Sequence, residues 1–214
     1  MTIQRTVSFA LLVLTTALAL VACAPTSTNT RPSVAVAPLL QGLVLRSEGE
    51  PTLIYVRPGA PTLAAYNRFI IDPVRVDYSD PSLNELDPAD VVRMQRYFQD
   101  RMISELRDGG YEIATRTQPG TMRISLSLKG LKAPNAAANV SVLVVPFAIS
   151  VGEVTVEAVF REAESDRVDA VVVDRSRGSS VFNPAPWSTW SDVESAFDIW
   201  AEGVRDAVDE AHGR

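Results

Sequence analysis

One cysteine, one histidine and only two lysines occur in this 214-residue chain, and each shortage closes off a class of explanation. A lone thiol, Cys23, permits no intrachain disulfide, so stability has to come from a buried core. A hydrophobic fraction of 46% on a chain of this length can supply one. The single histidine, His212, lies two residues from the last and is poorly placed for a His-dependent triad or a metal centre. There is no G-x-S-x-G, no phosphate-binding loop, no dinucleotide fingerprint and no cysteine pair. Positive charge is also short, with 20 basic residues against 26 acidic ones. Nucleic-acid binding rests on clustered Lys and Arg, and the sequence shows no such cluster and no polybasic run for anionic lipid. The expectation is a protein without catalysis, cofactor or metal, and without a nucleic-acid partner.

What is present begins at the leader. Arg5 precedes an uncharged apolar run from Val7 to Leu20, and Leu20-Val21-Ala22-Cys23 follows. A basic start, an apolar middle and a small-residue exit are the three parts of a secretory signal. The run is shorter than the roughly 20 apolar residues a membrane span needs. Its four-residue exit matches the bacterial lipobox, so residues 1–22 are expected to be removed and Cys23 to be acylated. The mature chain would then carry 19 basic and 26 acidic residues, a net of −7. Ala24 is not the aspartate of an inner-membrane retention signal, which favours a periplasm-facing lipid anchor in the outer membrane.

Small polar residues and prolines follow Cys23, and residues 23–40 read as the lipidated cysteine and a flexible tether. Residues 41–214 read as one domain. Leu53 to Val56 is a short strand. Asn67 to Tyr78 is a longer one whose apolar parity switches at Asp72-Pro73, the mark of a bulge or an edge position, with Asp72 accepting backbone amides. Asp87 and Pro88 open a helix whose stripe is Val91, Met94, Phe98, Met102, Ile103 and Leu106, and Gly109-Gly110 stops it. Tyr111 to Arg116 is a strand candidate. Met122, Ile124, Leu126 and Leu128 alternate with polar residues, as do Val154, Val156, Ala158 and Phe160 against Glu153, Thr155, Glu157 and Arg161. That is the pattern of strands with one wet face. Arg167 to Asp174 is the hairpin partner of the second, and its Val171-Val172-Val173 run, apolar on both faces, suits a strand covered by helices. Ser191 and Glu194 form a capping box, and Val193, Phe197, Trp200, Val204 and Val208 make a second helical stripe, with Trp200 in the core. The fold expected is α+β: a largely antiparallel sheet of about five strands with two amphipathic helices packed on one face.

Several stretches together resemble a known family. They are Tyr55-Val-Arg-Pro-Gly59, Tyr66-Asn-Arg-Phe-Ile-Ile-Asp-Pro-Val74, Val172-Val-Asp-Arg175, and Trp190-Ser-Asp-Val-Glu-Ser-Ala-Phe-Asp-Ile-Trp-Ala201. The chain is identified by them as similar to the bacterial lipoprotein family catalogued as domain of unknown function thirty-three thirteen, over most of residues 41 to 211. The turn Glu164-Ser-Asp-Arg167 departs from the Thr-Gly-Glu type usual there. The resemblance implies a lipoprotein and a shared fold, and no reaction.

Two features invite a binding role. Val140 to Ile149 is an apolar run broken only by Ser141 and Pro146. It reads either as a buried strand or as a partner-binding edge or lipid-contacting loop, with Val142 and Val144 as contact residues. Trp187 and Trp190 flank a Pro-rich loop and are candidate partner or ligand contacts. The acids from Asp72 to Asp90 read as a solvated loop. The expected function is a membrane-anchored accessory lipoprotein presenting its domain to an envelope protein. The alternative is a carrier of a small apolar ligand or lipid.

Overall fold

Among the described residues, eight strands and two long helices form, and the longer ones arise where local pattern and turn chemistry agree. They are β1 (Val44–Gly49), β2 (Thr52–Val56), β3 (Arg68–Ile71), β4 (Arg75–Asp77), α1 (Pro88–Asp108), β5 (Glu112–Ile113), β6 (Thr121–Lys132), β7 (Glu153–Glu162), β8 (Arg167–Arg177) and α2 (Ser191–Ala211). This computed structural model describes residues 31–49, 52–78, 86–132, 153–177 and 190–214. Among the described residues, no helix is long and apolar enough to cross a membrane.

The architecture is mixed α+β, and the sheet is larger than the five strands expected. Its order is β1-β2-β8-β7-β6-β3-β5, with β4 also on β6. The half from β1 to β6 is antiparallel, whereas β3 and β4 run parallel to β6, and β5 parallel to β3. The antiparallel expectation fails there for a topological reason. Helix α1 carries the chain back along the sheet after β4, and a strand reached by such a crossover runs parallel to the one before it. The strand-parity fault at Asp72-Pro73 is a real break. Ile71 pairs Ile124 but Arg75 pairs Ser127, so the register slips by one residue between β3 and β4.

Both helices bury their stripes in one core with the even-numbered face of β6. Phe69, Met94, Phe98, Met102, Leu106, Met122, Ile124, Leu126, Leu128 and Phe197 are the large side chains in it. Asp87 caps α1 by accepting the Ala89 N–H at 2.8 Å. Helix α2 departs from expectation at its start. Its N-cap is Trp190, without a side-chain cap bond, and Ser191 is already helical. The helices lie side by side and parallel, as Arg93 pairs Glu194, Tyr97 bonds Asp198 and Tyr111 bonds Asp209 in that order. Phe98 and Phe197 stack between them at 4.5 Å and 11°. Trp200 is half-buried, not fully core. It packs near Phe98 and Phe197, and its indole N–H donates to Asp174.

The opposite face of the sheet carries a second core. Val159, Val168, Val171 and Val173 meet Val36, Leu39, Leu40 and Leu43 there. Val171 and Val173 are thus covered by the chain before β1, which includes the short 3-10 helix Ala37–Leu40, and not by either long helix. The tether expected over residues 23–40 is therefore packed on the sheet in its last part, where Ser33 and Val36 are each 4% exposed, and residues 23–30 lie outside the described residues.

Candidate functional site

Residues 33–43 cross the second face of the sheet as a strap, and they meet a charged residue that the alternation pattern had placed in water. Glu157 has 0% exposure, and Thr155 beside it 5%. The backbone N–H of Ser33 donates to one Glu157 carboxylate oxygen at 2.5 Å and its hydroxyl to the other at 2.6 Å. A buried carboxylate is costly unless hydrogen-bonded, so this contact fixes where the strap lies. The Ser33 hydroxyl also accepts the Val36 N–H at 3.2 Å, which opens the turn leading to Ala37–Leu40. One step towards the N-terminus, Lys129 Nζ donates to the Arg31 carbonyl at 2.8 Å.

A polar cluster continues along the same face. Asp72 projects from the break between β3 and β4 and accepts from Ser125 Oγ at 2.7 Å and Arg123 Nη1 at 3.4 Å. Arg161 donates to the same serine hydroxyl at 3.1 Å. The carboxylate therefore binds side chains, not the backbone amides expected of it. The Asp72 N–H donates to the Ile124 carbonyl at 3.0 Å, which closes the bulge.

Three buried or half-buried tyrosines donate to carboxylates. Tyr66 bonds Asp169 at 2.8 Å, Tyr97 bonds Asp198 at 2.9 Å, and Tyr111 bonds Asp209 at 2.6 Å. Burial first, then donation to the aspartate, pushes Tyr97 and Tyr111 up to about 12 and Tyr66 higher still. These phenols stay protonated near neutral pH and act as pins between elements. Glu105, 4% exposed, is held by Arg101 at 2.6 Å and by Arg205. Arg101 also pairs Asp198 at 3.0 Å, which extends the ion-pair ladder along the helix seam.

An open groove of about 540 Å³ lies at the far ends of the helices, lined by residues that include Asn67, Tyr111, Glu112, His212 and Arg214. His212 Nδ1 lies 2.9 Å from the Val208 carbonyl, Arg214 covers the Tyr111 ring at 5.2 Å, and Glu112 pairs Arg68 at 2.7 Å. Its His212 and Arg214 are thus engaged at the helix ends, and its Glu112 ties β5 to β3. Among the described residues no three His, Cys, Asp or Glu side chains are grouped to hold a metal ion.

Of the residues singled out in sequence, Cys23, Val142, Val144 and Trp187 lie outside the described residues. Trp190 is placed in the core and not at the surface. It is 6% exposed within the main core, with the Arg93 guanidinium 6.0 Å from its ring. The residues that sequence reasoning missed are Ser33 and Glu157. Their signal is non-local, since the serine that hydrogen-bonds the carboxylate is 124 positions away.

A model of one family, described as a protein of unknown function, DUF3313, matches residues 33–204. No curated protein matches the chain. Solved structures with a distant likeness include a PelC dodecamer from Paraburkholderia phytofirmans, at 12% identity, TM-score 0.45, over 73% of this chain and 96% of that one. Protein XCC0632 from Xanthomonas campestris overlaps at 9% identity and TM-score 0.42, over 74% of this chain and 94% of that one. A minor lipoprotein from Acinetobacter baumannii overlaps at 7% identity and TM-score 0.37, over 70% of this chain and 95% of that one. Overlap at this level says nothing of what the present chain binds.

Proposed function

We propose that this chain, which belongs to the DUF3313 family of proteins of unknown function, is a lipid-anchored accessory lipoprotein of the cell envelope whose domain binds an envelope protein and carries out no catalysis. The observation that carries the reading is the leader, in which Arg5, the apolar run Val7 to Leu20 and Leu20-Val21-Ala22-Cys23 stand in the order of a lipoprotein signal. Acyl chains on Cys23 would hold the mature protein at a membrane, since two or more chains anchor stably where one is marginal. Ala24 favours the outer membrane. The paired states of Tyr66, Tyr97, Tyr111, Glu105 and Asp169 support a scaffolding role for the groups that could otherwise perform acid–base chemistry.

The partner surface proposed is the connection between β6 and β7, which contains Val142 and Val144. In cells, crosslinking at this connection should capture an envelope protein, and Val142→Lys or Val144→Lys should weaken that capture while leaving the melting temperature unchanged. A collapse of the fold in both variants would place the segment in the core and remove the surface. The apolar-ligand alternative loses one of its supports, because Trp190 is committed to packing the helices on the sheet.

A further inference from the structure

The strap fixes how much chain separates the folded domain from its lipid, and this sets which end of the domain meets the membrane. Lys129 holds the Arg31 carbonyl, and Ser33 is fixed on Glu157. Cys23 precedes Arg31 by eight residues. Eight steps of chain reach at most about 29 Å, at up to about 3.6 Å each. A relaxed polar chain of that length spans only about 16 Å.

The sheet is longer than that relaxed span. Thr155 of β7 pairs Lys129 of β6, and β7 runs from there to Glu162 before the hairpin turn at Glu164 to Asp166. Seven strand residues cover about 24 Å. A domain standing with its hairpin turn on the bilayer would need the tether to run back along the whole sheet, close to its full extension. Standing on the Lys129 end, it needs almost none of that reach. Entropy therefore selects the second arrangement.

We propose that the Lys129 end of the sheet rests on the surface of the bilayer in which Cys23 is anchored, with Arg31, Lys129 and Tyr78 among the lipid headgroups. The chemistry of that end suits the occupant. Asp77 pairs Lys129 across β4 and β6, so Tyr78 stands beside it, and Tyr78 is 56% exposed. Arg31 is exposed and leads directly into the tether. Tyrosine at headgroup depth and long basic side chains reaching the phosphates are the usual occupants of a membrane interface. The order of the strands puts Lys132 and Glu153, between which residues 133–152 run, at the same end. A protein partner bound by that connection would itself lie close to the membrane. The inference rests on the proposed acylation of Cys23, and it adds an orientation that acylation alone does not require.

The test uses the acylated full chain in vesicles of phosphatidylethanolamine and phosphatidylglycerol that carry a spin-labelled headgroup quencher. Because the one natural cysteine is blocked by lipid, an introduced cysteine is the only free thiol. A fluorophore is attached in one preparation through Tyr78→Cys and in another through Glu164→Cys. The expected result is strong loss of emission from the label at position 78 and little from that at 164. Inserting about twelve Gly/Ser residues after Thr26 raises the relaxed reach to about 25 Å, and the two positions should then converge. Equal quenching in the original chain, stronger quenching at position 164, or a contrast untouched by the insertion would overturn the orientation while leaving the anchor intact. Failure of the chain to float with vesicles would overturn anchor and orientation together. A label at position 78 that is unquenched in vesicles but shielded in cells would overturn the lipid contact and assign that end to a protein.

Discussion

Ser33 donates both its backbone N–H and its hydroxyl to the carboxylate of Glu157, a side chain with 0% exposure on the middle of β7. The contact ties the chain that follows Arg31 to the centre of the sheet. It turns ten residues of apparent linker into part of the domain. Removing one donor leaves part of a buried carboxylate unsatisfied, which costs about 1–3 kcal/mol. Ser33→Ala should therefore lower stability by about that amount in urea unfolding, although Ser33 lies in a stretch of small polar residues. An unchanged midpoint would show that the strap is not held by this pair.

The helix seam provides a second test. Phe98 and Phe197 are both 0% exposed and stack at 4.5 Å. Truncating either to alanine should cost about 3–5 kcal/mol. Trp200→Ala should cost less than Phe197→Ala, because Trp200 is only half-buried and its indole reaches out to Asp174. Thermal or urea melts of the three variants give the order directly, and a larger loss for Trp200 would contradict the packing described.

Tyrosine ionisation gives a pH dependence with a definite sign. Burial and the bond to an aspartate raise Tyr97 and Tyr111 from an unfolded value of 10.0 to about 12. A group raised in the folded state stabilises it fully below its unfolded pKa and loses that effect as pH rises through its folded one. Stability should hold below about pH 10 and fall between about pH 10 and 12. A spectrophotometric titration of the folded protein should show these two phenols ionising late, and Tyr97→Phe should remove one of the late transitions.

The β7–β8 hairpin carries the opposite sign. Hydrogen bonds from the Ser165 hydroxyl, then from the Ser165 and Glu164 amides, hold the Glu162 carboxyl below its ordinary value of 4.5. Its stabilisation is present above the unfolded pKa and is lost as pH falls through the folded one. Ser165→Ala should raise the Glu162 pKa in an NMR titration and weaken the hairpin at neutral pH, with wild type and variant alike at pH values below both pKas. Asp166 holds the turn with a φ of 58°, a conformation that aspartate tolerates better than most residues. Asp166→Gly should therefore leave the hairpin in place.

Helix α1 was legible because its cap, its first-turn proline, its apolar stripe and its terminal glycines all agree over 21 residues. The break at Asp72-Pro73 was legible because proline cannot donate to a ladder and the parity of apolar residues changes across it. The strap was not legible. Pro32, Ser33, Ala35 and Ala37 have the composition of a linker, and nothing local shows that Val36, Leu39 and Leu40 find Val171 and Val173 on the sheet. The burial of Glu157 is hidden from the sequence for the same reason. Period-two alternation shows which residues share a face, but not whether a distant segment covers it. Strands β4 and β5 are too short for a period, and β1 lacks alternation, so the sheet was undercounted. Trp190 looked like a loop contact because the start of α2 was placed one residue late.

The proposed envelope role depends on what happens at Cys23, which intact-mass and peptide mass spectrometry of the native protein address most directly. The prediction is a mature chain lacking residues 1–22, with a diacylglyceryl or triacyl mass on Cys23, recovered in the outer-membrane fraction and released from it by Cys23→Ala. A chain that retains residues 1–22, or that carries a free thiol at Cys23, would contradict the lipoprotein reading and the membrane orientation built upon it.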